Sequence, residues 1–442
     1  MLAHAAKVPP ARAAGARRRP LVALAVLLAA LGAGGAKADT ADVADASGTG
    51  LRLSGFGTLG LGRVDGPAGW GYRRELTQSG SAARWRGDID TRLGLQLNYT
   101  LNTRVELVAQ AIAKKRGAFA ADTDTLEWAY ASFRPDAAWT LRAGRVNVDA
   151  FLMADYRNVG YAFTTARPPV ELYARLPTTL DGADVARSWL VGDAQWRVKL
   201  MAGATRIGDN NFSKPGRLNS VLGAMVSREE GGWLLRASVA RSRIDYDLSG
   251  LQPALAVFDQ IAGLPLPPVS TQARDFRDRL SVNGIHALFT EVGLRYERAD
   301  WLWSVELVRV SGAPLTVENS AYATLGHAFG SWTPYVSFSH VRNAIAARTS
   351  PAWQAALAPV LGPAGAQQAQ QLADAATGLL NGSRLEQSSL SLGVRWDFHP
   401  QAALKLQWDR VRVPFGGSSL WTGSDGSAAR AHLTSAVLDF IF

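Results

Sequence analysis

Nine charged side chains crowd one irregular stretch of this chain. Residues 146–184 carry Asp149, Asp155, Arg157, Arg167, Glu171, Arg175, Asp181 and Asp184, and Arg145 directly precedes them. Interspersed charges of both signs suit electrostatic sorting rather than covalent chemistry. Facing one another across a narrow aqueous gap, they set up a transverse field that low-dielectric walls focus. A polar solute follows such a field, while an apolar one must give up ordered water to pass. Phe151, Tyr156, Tyr161, Phe163 and Tyr173 add apolar bulk, which serves a loop packed on a wall and not one in solvent. Arg167-Pro168-Pro169 stiffens one bend, because proline fixes φ. Two placements fit: folded into a lumen as a constriction, or packed over a mouth or against a neighbouring subunit.

The types needed for covalent chemistry are sparse. There is no cysteine, and the six histidines are His4, His286, His327, His340, His399 and His432. They lack the His-x-His or His-Glu-x-x-His spacing that brings two imidazoles to one metal. Nothing in the spacing pairs one of them with a nucleophilic serine. The glycine-rich run at 54–62, SGFGTLGLG, is followed by no helix that could hold a phosphate. Glycines in a strand let walls bend or approach closely. The expectation is a protein that is not an enzyme, with no catalytic residue, cofactor or metal.

The charged stretch must be positioned by segments with two unlike faces. Residues 88–101, DIDTRLGLQLNYTL, put Ile89, Thr91, Leu93, Leu95, Leu97, Tyr99 and Leu101 on one face. Asp88, Asp90, Arg92, Gly94, Gln96, Asn98 and Thr100 take the other, as alternation along a strand requires. Fourteen residues in register outrun an ordinary strand of about five or six. They suffice to cross a bilayer at a tilt, which takes about 9–11. Further segments run over 51–63, 104–114, 125–134, 139–144, 183–191, 194–205, 217–227, 233–242, 285–298, 301–310, 320–329, 332–341, 387–398, 402–411 and 430–442, with the facing of 125–134 ambiguous and the alternation of 183–191 poor.

Tight turns at Asn102, Pro135, Gly192, Gly231, Asp300, Gly330 and Pro400 alternate strictly with longer connections. No stretch beyond the N-terminus holds the roughly 18 apolar residues of a membrane helix. In hydrocarbon, only helices and closed barrels satisfy every backbone group. The pattern therefore predicts an all-β fold, a transmembrane antiparallel barrel of about sixteen strands. Short periplasmic turns would lie at one end and long extracellular loops at the other. Trp139, Trp196, Trp233, Trp301, Trp303, Trp332, Trp396 and Trp408 fall near strand ends in phase with the apolar face, as aromatic girdles do. The polar face lines the lumen with Arg92, Arg104, Arg142, Arg197, Lys199, Arg236, Arg295, Arg395 and Lys405. Against them stand Asp88, Asp90, Glu106, Glu291, Glu306, Asp397 and Asp409. The insertions at 244–280 and 343–384 read as exposed loops, with lids or subunit contacts as alternatives, and 367–380 in the second would make a helical turn or more.

Residues 1–38 read as a cleaved export signal: basic Arg17-Arg18-Arg19, an apolar core at 21–31, and Ala36-Lys37-Ala38 before Asp39. Residues 39–50 read as a disordered leader. Six of the 47 basic residues precede Asp39 and no acidic one does, so the mature balance is 41 − 37 = +4 rather than +10. That removes the case for a nucleic-acid partner and leaves a mild anion preference.

The last strand places Leu438, Phe440 and the terminal Phe442 on one face. It resembles the C-terminal signal strand of outer-membrane barrels, which the barrel assembly machinery reads. Leu141-Arg142-Ala143-Gly144-Arg145 is similar to the strand ending in Gly-Arg of one such family. With the loop order, residues 51–442 resemble the trimeric general porins of Gram-negative outer membranes. The resemblance implies a homotrimer in outer-membrane lipid that passes small hydrophilic solutes and ions by diffusion. It implies that the third long loop, 146–184, folds inward, although the family's Pro-Glu-Phe-Gly-Gly tip is absent. The expected constriction comprises Arg92, Arg142, Arg145, Asp149, Asp155, Arg157, Arg167, Glu171, Arg175 and Asp181. A substrate-selective channel with its site at this loop, and a non-conducting structural or adhesive barrel, remain alternatives.

Overall fold

Leucines point outward and charges inward. Leu95, Leu200, Leu235, Leu307, Leu392 and Leu406 are exposed, while Lys199, Arg236, Glu306, Lys405 and Asp439 are buried. In the computed structural model, which describes residues 50–117, 122–175, 177–207, 216–314 and 316–442, sixteen long strands produce this inversion. The expected export signal, and all of the leader except Gly50, lie outside those residues.

The strands are β1 (Gly50–Asp65), β2 (Arg92–Thr100), β3 (Val105–Lys114), β4 (Leu126–Phe133), β5 (Trp139–Asn147), β6 (Thr179–Val191), β7 (Ala194–Ile207) and β8 (Gly216–Glu230). They continue with β9 (Trp233–Asp245), β10 (Ile285–Arg298), β11 (Trp301–Gly312), β12 (Thr316–His327), β13 (Trp332–Asn343), β14 (Gln387–His399), β15 (Ala402–Val413) and β16 (Ala429–Ile441). Each pairs antiparallel with its sequence neighbours. β1 closes the ring, running from Gly50↔Thr100 to Thr58↔Arg92 on one side and from Phe56↔Ile441 to Asp65↔His432 on the other. Gly55 and Phe442 exchange backbone hydrogen bonds of 2.8 and 3.0 Å at the seam. Closure removes the edges that would otherwise template aggregation. No described helix is long and apolar enough to cross a membrane.

Local chemistry sets the short turns. Asn102 Oδ1 accepts from the amides of Arg104 and Val105, both at 2.9 Å, and Asp136 Oδ1 accepts from those of Ala138 and Trp139. Gly192, Gly231 and Gly330 take φ of 61, 58 and 61°, the left-handed region a two-residue hairpin needs. Tryptophans gather at this end: Trp332 stacks on Trp396 at 5.0 Å and Trp233 meets Trp303 edge-on at 4.9 Å. Trp408 differs from expectation, lying mid-strand in β15 and stacked on His432 at 5.4 Å.

Several boundaries shift for physical reasons. Gly50 opens β1 instead of ending a leader. The alternating run at 88–101 is a regular strand only from Arg92; before it, Asp90 is bound by Arg74 and Arg167, and Ile89, expected on the outward face, is buried in an apolar cluster. β5 and β6 extend past the expected ends, so the third long loop is 148–178. The insertions expected as exposed loops hold α2 (Gln252–Ala262), α3 (Val269–Leu280) and α4 (Gln354–Gly382). These pack into one apolar cluster at the long-loop end. Phe258 stacks on Phe276 at 5.4 Å, and Trp353 lies edge-on to both and donates from Nε1 to Gln272 Oε1 at 2.7 Å. The remaining helix, α1 (Val170–Tyr173), sits within the third long loop.

Candidate functional site

β5 and β6 feed the third loop inward. Val146 and Leu180 are opposite each other on the last rungs, face the lumen and are fully buried. They open an apolar cluster with Val148, Phe151, Leu172 and Tyr173 of the loop and with Val308 and Tyr322 of β11 and β12. The wall bends just below. Gly144 lies across from Gly182, where a Cβ would sit 2.0 Å from the Ala202 carbonyl. Only glycine permits that backbone approach.

Inside the barrel the loop is tied to the wall strand by strand. Asp149 meets Lys199 of β7 in an ion pair and accepts from Arg236 Nη1 of β9 at 2.7 Å. Burial alone would push the Asp149 carboxyl up, but the Lys199 and Arg236 charges outweigh it and hold it well below the usual carboxylate range. On β11, Glu306 accepts from the Leu152 amide at 3.0 Å and from the Tyr173 hydroxyl at 2.5 Å. Burial, and then the Glu306 charge, keep that phenol far above its ordinary value, so it stays a donor.

Across the lumen, Arg167 donates from Nη2 to Asp90 at 2.7 Å and from Nη1 to Asp409 of β15, also at 2.7 Å. Glu171 accepts from Ser339 at 2.6 Å, from Gln387 at 2.8 Å and from Ser389. Lys405 donates to the carbonyls of Gly160 and Thr165 at 2.7 and 3.0 Å. A Cβ on Gly160 would come within 1.9 Å of Asp439 Oδ1, so glycine is what lets the chain reach this depth. Tyr161 donates to Pro400 O at 2.7 Å, in a short turn at the far end of the barrel.

The other expected site residues fall into distinct places. Arg157 is buried between the rings of Phe151 and Tyr173, at 5.5 and 5.9 Å, and donates to Tyr173 O at 3.0 Å. Burial draws its guanidinium below the ordinary value against the pull of Glu75 and Glu127. Arg175 sits at the rim on Glu318 (3.3 Å) and Ser383 O (2.6 Å). Arg145 and Asp181 pair at 2.7 Å on the outward register, in phase with exposed Leu141 and Ala143, and so are not in the lumen. Arg92 faces inward beside Asp90. Arg142 donates to Asp184 at 3.0 Å and to Asn147 Oδ1 at 2.7 Å, with its guanidinium 5.1 Å from the Tyr130 ring. Asn147 in turn donates to Asp155, the exposed acid of the loop.

The lumen therefore has two sectors. From β7 round to β16 many inward residues are buried, Lys199, Arg236, Glu306, Lys405 and Asp439 among them, whereas Arg197, Arg295 and Arg395 are half-buried. From β2 to β5 the two kinds mix: Arg92, Asn98, Gln110 and Ser132 are buried, while Gln96, Glu106, Trp128, Tyr130 and Arg142 are half-buried, with exposed Asp155 of the loop tied to Asn147 beside them. Asn147 and Tyr130 were missed in the sequence. Tyr130 comes from a strand whose alternation is poor, and Asn147 lies past the expected end of β5, where the sequence reads as loop. The chain-terminal aromatics lie on the outward face, Phe442 and Phe440 covering Gly55 and Gly57 of β1. No cluster able to hold a metal occurs among the described residues.

No protein-family model and no characterised protein matches the sequence. Solved structures similar in shape include OmpF of Salmonella typhi in complex with daunomycin: 11% identity, 90% of this chain and 98% of that one, TM-score 0.47. An anion-selective porin from Comamonas acidovorans gives 9% identity, 89% and 100% coverage, and TM-score 0.47. The outer membrane channel DcaP of Acinetobacter baumannii gives 12%, 90%, 99% and 0.45. At that level of likeness, the functional reading rests on this chain's own geometry.

Proposed function

We propose that the protein is an outer-membrane channel of a Gram-negative cell, through which small hydrophilic solutes and ions diffuse. The observation that carries this is the uncovered sector of the lumen. There Gln96, Glu106 and Arg142 are half-buried and Asp155 of the loop is exposed beside them, while ion pairs fix the loop at Asp149 and Arg167. A barrel needed only as a scaffold has no use for a charged face kept open to water. The apolar exterior sets it in lipid, with the short turns periplasmic and the helical cap outside the cell. Export through residues 1–38, insertion guided by the terminal Leu438, Phe440 and Phe442, and assembly as a homotrimer complete the reading. The mature charge of 41 − 37 = +4 favours a mild anion preference.

The buried ion pairs of the third loop support a second reading, a narrow channel selective for one solute class at that loop. Conductance in planar bilayers separates the two. A diffusion channel gives large ohmic steps with a modest anion-shifted reversal potential. A selective channel gives small steps that its solute blocks. No conductance at all sinks both and leaves a structural barrel.

A further inference from the structure

Arg92 is a buried cation that meets no carboxylate among the described residues. It is 4% exposed, its Nε donates to the backbone oxygen of Asp90 at 3.1 Å, and its Nη1 is buried with no hydrogen-bond partner. It lines a small crevice where the first long loop meets β2 and β3, with Arg74, Lys114, Lys115, Glu75 and Asp90. Both acids are already engaged. Glu75 takes Lys114 at 2.7 Å, and Asp90 takes Arg74 at 3.2 Å and Arg167 at 2.7 Å. Four cations thus line the crevice against two carboxylates, one of which a further arginine shares.

A guanidinium cannot shed its proton to relieve the imbalance. A buried charge is tolerated when it is paired, and here the protein supplies no partner for Nη1. Size limits what can. The crevice is narrow, the centre of a water-sized body having only about 10 Å³ to move in, which suits a monatomic anion better than phosphate, sulfate or a carboxylate. We infer that it binds a single halide ion, held by Arg92 Nη1 and balanced by the surrounding surplus of positive charge. The ion would fix the first long loop to the wall beside Asp90, where the third loop is also clamped. This holds whether or not the barrel conducts.

The test uses the full chain folded in detergent. Its thermal unfolding is followed at constant ionic strength as potassium gluconate is replaced by chloride or bromide. The expected result is a saturable rise in Tm with either halide and none with sulfate, lost in Arg92→Gln. A parent that does not distinguish the anions holds only water in the crevice, and the inference fails. It fails equally if Arg92→Gln keeps the halide response. Should that variant not fold, crystals of the parent soaked in bromide decide the matter. An anomalous peak within hydrogen-bond reach of Arg92 supports the site, and its absence there overturns it.

Discussion

Arg167 and Asp155 belong to one loop, yet only one of them is open to a passing solute. Arg167 is buried and spends its guanidinium on Asp90 and Asp409, on opposite sides of the seam strand β1. Asp155 is exposed, with the side-chain amide of Asn147 between it and Arg142. Charges in a constriction thus divide into those that hold its shape and those that make its field. Composition treats them alike; burial separates them.

The sharpest way to break this comparison is Arg167→Ala. Removing one partner of a buried ion network leaves Asp409 without its cation and Asp90 with Arg74 alone, a loss of about 3–5 kcal/mol. The loop should leave the wall, and single-channel current should become larger and noisier. Denaturation midpoints and current traces check both. A stable variant with unchanged current would mean that the loop is held by its apolar cluster alone.

Next comes the wall itself. Leu95 is outward and exposed, whereas Gln96 is inward and half-buried. Leu95→Arg should destabilise the barrel in lipid by about 2–4 kcal/mol, while Gln96→Arg should leave stability nearly unchanged and shift selectivity toward anions. Equal losses at both positions, read from unfolding in liposomes, would mean the faces are assigned the wrong way round.

The barrel was legible because strand alternation has a fixed period and hairpin turns have a limited vocabulary. A lipid-facing wall makes that alternation strict, as in β2, β3 and β15. The inward course of the loop was half legible: aromatics in a loop announce a wall, but not which wall. Arg145 and Asp181 were misleading because β5 and β6 outlast their apolar pattern, so strand charges looked like loop charges. The helical cap was not legible as a unit. Trp353 joins Phe258 and Phe276 from another insertion, and no local pattern encodes a contact across that separation.

A third effect depends on pH. Asp149 ionises more readily in the folded barrel than in the unfolded chain. Its contribution is therefore complete above the unfolded carboxylate range, about 3.9, and is lost as pH falls through the lower folded value. Channel noise should stay constant from neutral pH down to about 4 and rise only in stronger acid. Asp149→Asn should show the acid-like noise at every pH. A rise already at pH 6 would point to a different group.

The smallest stability effect belongs to Asp155. Asp155→Asn removes an exposed charge and can keep the hydrogen bond from Asn147, so stability should change by no more than about 0.5 kcal/mol. Selectivity should nevertheless move, because this carboxylate faces the open sector while Arg142 stays on the wall behind it. Neutralising the acid leaves the arginine's field less opposed, and the reversal potential in a salt gradient should shift toward anions. The Debye length falls to about 3 Å at 1 M salt, so the shift should shrink there and be largest in dilute buffer. Arg142→Gln should move the potential the other way, at a larger loss of stability because Asp184 is buried behind it. If Asp155→Asn leaves the potential unchanged while Arg157→Gln, deep under the rings, moves it, then the buried charges make the field. The division between shape and field drawn from Arg167 and Asp155 would then be wrong.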